Sequence, residues 1–247
     1  MAGIKLVEFE DGLRVFASSG MEARFMHEEI FRDGCYGDVA LPAQPLVVDV
    51  GANIGMFSLF VKLRHPDASV LAFEPVAENI AVLRRNLELH QLDGVVVHEV
   101  ALGSGPERDV PFTYYPALPG NSTRYPAQKQ QTQDALSRIY SAAVARRLYR
   151  GQAMAVQVQK LSAYLHADRP VDLLKVDAEG AELDVLLGID AVHWPLIRHA
   201  ILEVHDQDGR LAAVCGLLGE HGLSPEVEQA PMTDEATGGY IVRASRC

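Results

Sequence analysis

The chain has 247 residues, of which 48% are hydrophobic and 22% are charged, and its formal net charge is −11. This length fits one globular domain, 1–247, and the acidic excess argues against nucleic-acid binding. No apolar run approaches the roughly 18 residues that span a bilayer, and no secretory signal is visible, so we expect a cytoplasmic protein that is not held in a membrane. The three cysteines, Cys35, Cys215 and Cys247, form no C-x-x-C pair and indicate neither a disulfide framework nor a zinc site.

The N-terminal part, residues 1–45, predicts a hairpin followed by a helix. Residues 4–18 have the pattern of two short strands joined at Asp11-Gly12. Residues 22–34 have helical spacing and end at a glycine. We expect this part of the chain to cover a functional site.

From residue 46 onward, apolar strands alternate with amphipathic helices. Such alternation is typical of an α/β, doubly wound sheet that is mostly parallel and has helices on both faces. The last two strands are expected to close the sheet in an antiparallel sense. Strands are predicted at 46–50, 69–75, 95–102, 171–177, 199–205, 226–230 and 239–245, and helices at 54–65, 77–91, 181–189 and 210–222.

Residues 104–160 interrupt this alternation and predict an insertion that acts as a lid over the site. Within it, residues 133–149 have the spacing of a single helix. Residues 121–160 contain seven Lys or Arg and one acid, a net charge of +6 in a chain of −11. This basic segment either steers an anionic partner or is a solvated helix face.

The stretch "LVVDVGANIG", residues 46–55, indicates a strand that runs into a ligand-binding turn. Gly51 allows a tight turn, Gly55 allows close packing of the next helix, and Asn53 tolerates a left-handed backbone. Glu74 ends the next strand, where a carboxylate accepts hydrogen bonds from both hydroxyls of a ribose. Together these features favour an adenosine ligand over a plain strand–helix turn.

Asp49 decides which adenosine ligand is expected. Its carboxylate would repel a pyrophosphate but attract the amino group of an amino acid. S-adenosylmethionine carries both an adenosine and an amino acid, and S-adenosylhomocysteine is its product after methyl transfer. The missing G-x-G-x-x-G spacing also argues against a nucleotide-dependent oxidoreductase, which stays open as an alternative beside a noncatalytic cofactor-binding module.

A second cluster follows the later strands, with Asp177 and Glu179 after one strand and Glu203 and His205 at the end of the next. Methyl transfer to a hydroxyl needs a base, and histidine is the usual base near neutral pH. We therefore expect His205 to act as the base, assisted by Asp177 or Glu203. Lys175 is read as a charge at the strand edge. A divalent cation between Asp177 and Glu203 is an alternative that we do not favour, because the ligand set is incomplete.

Four segments, "VVDVGANIGMFSLF", "FEP", "VALG" and "LLKVDAEGAELDVLLGI", together resemble the FkbM family of S-adenosylmethionine-dependent methyltransferases in that order. The resemblance covers residues 46–205 and implies a class I methyltransferase (Rossmann-like) fold and, for most members, O-methylation. Asn53 stands where the common class I motif has its middle glycine. The turn and the resemblance predict cofactor contacts at Asp49, Gly51, Ala52, Asn53, Gly55, Glu74, Pro75, Ala101 and Asp177.

A further segment, "FTYYPALPGNST", resembles the O-methyltransferases of polyketide and nonribosomal peptide assembly lines. The resemblance implies a hydroxyl acceptor on a natural-product intermediate that is often tethered to an acidic acyl or peptidyl carrier protein. A free small molecule or a sugar is the alternative acceptor. Candidate substrate residues are Tyr115, Asn121, Ser122, Arg146 and Arg147, although Asn121 and Ser122 also suit a turn.

Overall fold

The computed structural model describes residues 3–37, 39–231 and 238–246, so Cys247 lies outside the described residues. The strands are β1 Lys5–Glu8, β2 Arg14–Ala17, β3 Leu46–Val50, β4 Ser69–Phe73, β5 Val95–His98, β6 Ala101–Leu102, β7 Glu107–Tyr114, β8 Gln152–Gln159, β9 Leu173–Val176, β10 His199–His205, β11 Leu223–Gln229 and β12 Gly239–Arg246. The α-helices are α1 Gly20–His27, α2 Met56–Arg64, α3 Ala77–Leu89, α4 Gln130–Ile139, α5 Ala142–Leu148, α6 Glu182–Leu187 and α7 Arg210–Glu220.

Seven strands form the central sheet, in the order β11-β12-β10-β9-β3-β4-β5. Strands β10, β9, β3, β4 and β5 are parallel, and β12 pairs antiparallel with both β10 and β11. The predicted α/β fold, with a mostly parallel sheet closed by antiparallel pairing, is confirmed. The carboxyl ends of β3, β4, β9 and β10 therefore meet at one edge, where ligands bind in such sheets.

The central strand β3 shows why the sheet forms. All five of its residues are buried, as expected for a strand covered on both faces. Val48 and Val50 face a core that includes Val214 of α7, and Val47 faces the core that includes Phe57 of α2. Helices on both faces thus bury the apolar run, and its acidic residue is fixed in the interior.

The N-terminal hairpin pairs β1 with β2 in antiparallel register, and α1 continues through a π-helical turn, Glu28–Arg32. Asn86 of α3 fixes this hairpin to the rest of the chain. Its Oδ1 accepts a hydrogen bond from Phe16 N at 2.6 Å, while its Nδ2 donates to Phe16 O at 3.1 Å and to Ile54 O at 2.8 Å. One side chain therefore joins the hairpin to the turn after β3.

The insertion and the strand that precedes it differ from the sequence prediction in two ways. The single strand predicted at 95–102 is wrong, because the chain turns where Val100 N donates to His98 O, and β6 then joins a separate sheet of order β6-β8-β7. The single helix predicted at 133–149 is also wrong. It is two helices, and Ser141 starts the second by accepting a hydrogen bond from Val144 N.

No helix in the described part of the chain is long and apolar enough to cross a membrane.

Candidate functional site

A cavity of about 550 Å³ opens at the carboxyl ends of the parallel strands. One wall comes from the loops that follow β3, β4, β9 and β10. The opposite wall comes from α1 with its π-helical turn and from the insertion, between Leu118 and Tyr149. The cavity is therefore enclosed between the central sheet and two segments that we call the cover, residues 20–36 and 115–149.

The glycine turn after β3 forms the floor of the cavity. Gly51 and Gly55 have positive φ angles of 72° and 85°, and Asn53 has a φ of 48°. A methyl group on Gly51 would lie 1.8 Å from the carbonyl oxygen of Asp177, so the turn lies directly against the loop that follows β9. Gly51, Ala52 and Asn53 line the cavity, whereas Gly55, also predicted as a cofactor contact, packs against Leu83 of α3 instead. The tight turn was predicted, but its contact with the Asp177 backbone was not.

Glu74 lies at the end of β4 and is 4% exposed. Its Oε1 accepts hydrogen bonds from Val76 N and Asn79 Nδ2, and its Oε2 accepts one from Asn53 N at 2.9 Å. A carboxylate offers about four acceptor positions, so one remains on Oε2 in the cavity wall. Burial raises the pKa of Glu74 to about 7, although its three hydrogen bonds act in the opposite direction.

The remaining predicted cofactor contacts divide into two groups. Pro75, Ala101 and Asp177 line the cavity. Asp49 does not: it is fully buried, accepts a hydrogen bond from the Ser58 hydroxyl at 2.7 Å and faces Lys175 Nζ at 3.3 Å. The expectation that Asp49 meets the amino group of the cofactor is thus corrected, because the ammonium group of Lys175 already neutralises it.

Lys175 is a site residue that sequence reasoning misplaced at the strand edge. It is 3% exposed, lies within β9 and donates to the backbone oxygens of Val50 and Gly51. Burial opposes its charge, but the carboxylates of Asp49 and Asp177 outweigh burial and raise its pKa. The sequence did hold a signal, because a lysine inside the apolar run "LLKV" needs buried partners.

The predicted assistants of His205 have other partners. Asp177 faces Lys175 Nζ at 3.6 Å, and Glu203 Oε2 accepts a hydrogen bond from the Tyr36 hydroxyl at 3.1 Å. His205 Nε2 instead lies 3.2 Å from Glu179 Oε2. All of these side chains line one cavity. Asp177 or Glu203 was expected to assist His205, but the carboxylate that lies against its Nε2 is that of Glu179.

Glu179 is held in an unusual backbone conformation. Its φ is 52°, in the left-handed region, and Gly180 follows with a φ of 100°. Lys129 of the insertion forms an ion pair with its carboxylate. Burial works against ionisation of Glu179, but Lys129 and His205 outweigh it and lower its pKa to about 2. Burial likewise works against a charged His205, but Glu179 outweighs it and raises the pKa of His205 to about 9.

Two acids of the cover were not predicted. Glu22 of α1 accepts a hydrogen bond from Gly120 N of the insertion, and Glu29 lies in the π-helical turn. Burial raises the pKa of Glu22 to about 8. Burial, with Glu203 and Asp177 nearby, raises the pKa of Glu29 to about 9.

The carboxyl groups of the cavity favour a cationic ligand. The pKa of Glu203 is raised to about 7, chiefly by burial and by Asp177, so Glu22, Glu29, Glu74 and Glu203 all carry raised pKa values. A cation among them would relieve their mutual repulsion. The sulfonium and ammonium groups of S-adenosylmethionine supply such charges, so the residues present fit this cofactor.

The candidate substrate residues occupy three different positions. Asn121 and Ser122 line the cavity, but the Ser122 hydroxyl accepts from Tyr115 N and donates to Pro119 O, as a turn former does. Asn121 Oδ1 accepts from the Tyr149 hydroxyl at 2.8 Å. Tyr115 is buried against the Tyr149 ring, with centroids 5.2 Å apart.

The two arginines predicted to meet the substrate, Arg146 and Arg147, are exposed on α5 and do not line the cavity. The mouth of the cavity is instead apolar. Met21 and Phe25 of α1 are 60% and 44% exposed, and Tyr140 at the end of α4 is 67% exposed. Large exposed apolar side chains around a cavity mark a binding surface for an apolar ligand.

Across residues 3–37, 39–231 and 238–246, no group of three or more His, Cys, Asp or Glu is arranged to hold a metal ion.

Comparison with known proteins gives the family of the chain. The model of the methyltransferase FkbM domain matches residues 49–226. Methyltransferase 1 of Beauveria bassiana (strain ARSEF 2860) is 35% identical over 251 residues, which covers 100% of both chains. The 31-O-demethyl-FK506 methyltransferase FkbM of Streptomyces tacrolimicus is 36% identical and covers 93% of this chain and 92% of its own.

A solved structure supports the fold. The crystal structure of methyltransferase FkbM from Methylobacillus flagellatus KT superposes with a TM-score of 0.57 at 15% identity. The match covers 88% of this chain and 47% of the other. At this identity the likeness shows the fold alone.

Proposed function

The chain belongs to the FkbM methyltransferase family and is an S-adenosylmethionine-dependent methyltransferase, and we propose that it methylates a hydroxyl group of a natural-product intermediate. The observation that carries the proposal is the pairing of His205 with Glu179 in the cavity that also contains the glycine turn and Glu74. One cavity thus offers a cofactor wall and a proton acceptor. The name of the Streptomyces relative, which specifies an O-demethyl substrate, supports oxygen as the methylated atom.

The cofactor wall is formed by the loops after β3, β4 and β9. We propose that Glu74 Oε2 accepts a hydrogen bond from a ribose hydroxyl and that the turn at Gly51 and Asn53 holds the amino-acid part. Asp177 and Glu203 place negative charge beside the cationic groups. When bound, S-adenosylmethionine supplies a methyl group on a positively charged sulfur.

His205 is proposed as the base. As the acceptor oxygen bonds to the methyl carbon and the carbon–sulfur bond breaks, the hydroxyl proton passes to the imidazole. Because Nε2 faces Glu179, Nδ1 is the ring nitrogen left to accept that proton. Glu179 fixes the ring orientation and stabilises the imidazolium that forms, as a carboxylate does for histidine bases elsewhere.

The acceptor is proposed to be an apolar chain that bears a hydroxyl. The apolar mouth formed by Met21, Phe25 and Tyr140 suits such a chain. The basic segment, residues 121–160, suits an acidic carrier protein that presents the chain, and a free small molecule remains the alternative acceptor.

The activity is tested with purified protein, S-adenosylmethionine labelled in its methyl group, and hydroxyacyl chains offered both on a carrier protein and as free thioesters. We expect label in the product and one methylene unit of added mass, in an ether linkage. Label on nitrogen or carbon would exclude the proposed O-methylation. No labelled product from any hydroxyl acceptor, with cofactor binding intact, would count against the proposal as a whole.

The base is tested with His205→Ala beside His199→Ala, which changes the other end of the same strand. At saturating cofactor we expect kcat to fall by about 10²- to 10⁴-fold for His205→Ala, because general-base catalysis contributes that much. His199→Ala should stay within about twofold, since surface changes away from the site have small effects. A His205→Ala enzyme with near-normal kcat would remove His205 from the mechanism.

A further inference from the structure

We propose that Lys129, which the insertion carries into the cavity, is a positioning residue that sets the protonation state of His205 through Glu179. The inference rests on the proposed role of His205 as the base. The insertion then influences the proton transfer to His205, in addition to covering the acceptor.

Two cationic groups share Glu179 Oε2. Lys129 Nζ forms an ion pair with it, and His205 Nε2 lies 3.2 Å from the same atom. Lys129 is only 4% exposed, although it lies in a 3-10 turn, Pro126–Lys129, that leads into α4. A buried lysine needs a partner of opposite charge, and its side-chain contact in the structure is Glu179.

The insertion is held against Glu179 by backbone contacts as well. The Thr123 hydroxyl donates to Glu179 O at 2.7 Å, and Gln128 O accepts a hydrogen bond from Gln207 Nε2 at 2.9 Å. A methyl group on Gly180 would lie 2.1 Å from Gln128 Oε1, so the next residue of the loop also meets the insertion. These contacts fix the position of the segment that carries Lys129.

Charged groups from several elements face His205. Glu179 favours the imidazolium most strongly, and Lys129 disfavours it. Removing Lys129 leaves Glu179 with His205 as its remaining cationic partner, so the proton is held more tightly. With Lys129 in place, part of that attraction is cancelled and His205 can give up its proton at lower pH. The groups that act on His205 include Asp177, Glu179 and Glu182 from the segment after β9, Glu203 from its own strand, and Lys129 from the insertion.

The geometry therefore couples the insertion to the base. With Lys129 on Glu179, a larger fraction of His205 is neutral and able to accept a proton. Without Lys129, Glu179 holds the proton on His205 more tightly, and the fraction that can take a proton from the acceptor falls. Methyl transfer is thus faster while the insertion keeps Lys129 in place.

The direct test is an NMR titration of the His205 imidazole, assigned with His205→Gln, in the wild type, Lys129→Met, Lys129→Arg and Lys160→Met. Lys160 is the matched control, because it belongs to the same insertion but pairs with Asp190 on the surface. We expect Lys129→Met to raise the pKa of His205 by about one unit, as removal of a close charge does. Lys129→Arg and Lys160→Met should leave it near the wild-type value.

The kinetic test is the pH dependence of kcat for the same variants. The acid limb should move up by about one pH unit in Lys129→Met, so kcat at pH 7 falls about tenfold and recovers at high pH. A loss of kcat in Lys129→Met that is equal at every pH would mean a merely structural role and would overturn the inference.

The alternative that Lys129 binds the cofactor is tested by calorimetry with S-adenosylhomocysteine. Unchanged affinity in Lys129→Met supports the inference, and a loss of tenfold or more with no shift in the His205 titration contradicts it. The NMR result is independent of turnover. If the titration shifts as expected while no hydroxyl acceptor is methylated, the proposed O-methylation fails and the coupling of Lys129 to His205 stands.

Discussion

The two walls of the cavity are built on different principles. The wall on the side of the sheet consists of loops that follow largely buried strands, and Lys175 within it is paired with Asp49 and Asp177. The cover consists of half-exposed helices that are held by a few polar contacts, such as Glu22 with Gly120 N and Lys129 with Glu179. We call the wall on the side of the sheet the frame. Disturbing this buried part costs more free energy of unfolding than disturbing the exposed cover. Substitutions of the buried turn and the buried ion pairs of the frame should therefore act mainly on stability, and those in the cover mainly on turnover.

The largest effect is expected at Gly51 of the frame. A methyl group there would lie 1.8 Å from the Asp177 carbonyl oxygen, at a φ of 72°. We expect Gly51→Ala to lower the free energy of unfolding by more than about 4 kcal/mol, measured by urea denaturation. Gly216→Ala is the control, because its methyl group would meet open space in α7. Equal stability of the two variants would show that the turn is not rigid.

The next effect is expected at Lys175. Lys175→Met leaves Asp49 and Asp177 buried without their cation, which costs about 3–5 kcal/mol of stability when one partner of a buried pair is removed. Lys160→Met breaks an exposed pair and should cost less than about 1 kcal/mol. If the denaturation midpoints of Lys175→Met and Lys160→Met fall by the same amount, the expected difference between the frame and the surface is wrong.

A smaller effect is expected on the pH dependence of stability, through the carboxyl groups that both walls of the cavity contribute. The pKa values of Glu74 and Glu203 are raised to about 7, and that of Glu29 to about 9. A carboxyl group with a raised pKa contributes its full stabilisation of the fold below pH 4.5, the ordinary carboxyl pKa. This contribution is lost as the pH rises through the raised pKa. Without ligand, stability should therefore fall between pH 5 and about 9 from these groups.

A cationic ligand should reverse this loss, because it favours the ionised carboxylates. The rise in Tm caused by S-adenosylmethionine should be larger at pH 8.5 than at pH 6, by a few degrees in thermal denaturation. S-adenosylhomocysteine, which lacks the sulfonium charge, is the control and should show a weaker pH dependence. The same dependence for both ligands would mean that the carboxyl groups do not respond to the charge on sulfur.

The smallest effect is expected on the outer surface of the cover. Reversing Arg146 and Arg147 to Glu should weaken methylation of a carrier-bound acceptor by about fivefold at low salt and leave a free thioester unchanged, because surface charges act mainly on encounter rates. Reversal of Lys5 and Arg169, which are exposed outside the insertion, is the control. Equal losses on both acceptors would contradict carrier docking.

The strand and turn positions of the frame could be predicted from sequence, and the side-chain contacts of the cover could not. The apolar run of β3, the glycine turn and the acid at the end of β4 are local patterns, and their meeting at one sheet edge follows from parallel topology. The contacts of the cover join residues far apart in the chain, such as Lys129 with Glu179 and Glu22 with Gly120. Periodicity carries no information about such pairs.

Three predictions differ from the structure for physical reasons. Asp49 was expected to meet a ligand because it directly precedes the glycine turn, but Lys175, which was read as a charge at the strand edge, is its buried partner. His205 was placed near Glu203 because both lie on one face of β10, but the left-handed Glu179 brings its carboxylate closer. Residues 133–149 gave one helix because the Ser141 cap interrupts the backbone without interrupting the apolar spacing.

The contacts of Asn86 restrict which residue can occupy this position. It is 2% exposed, and its amide accepts from Phe16 N and donates to Phe16 O and Ile54 O. Aspartate has no N–H to donate, serine has one donor where two are used, and glutamine is a methylene too long for the same space. Across diverging copies of this chain, asparagine is therefore the residue that can persist here while the hairpin and the glycine turn around it change.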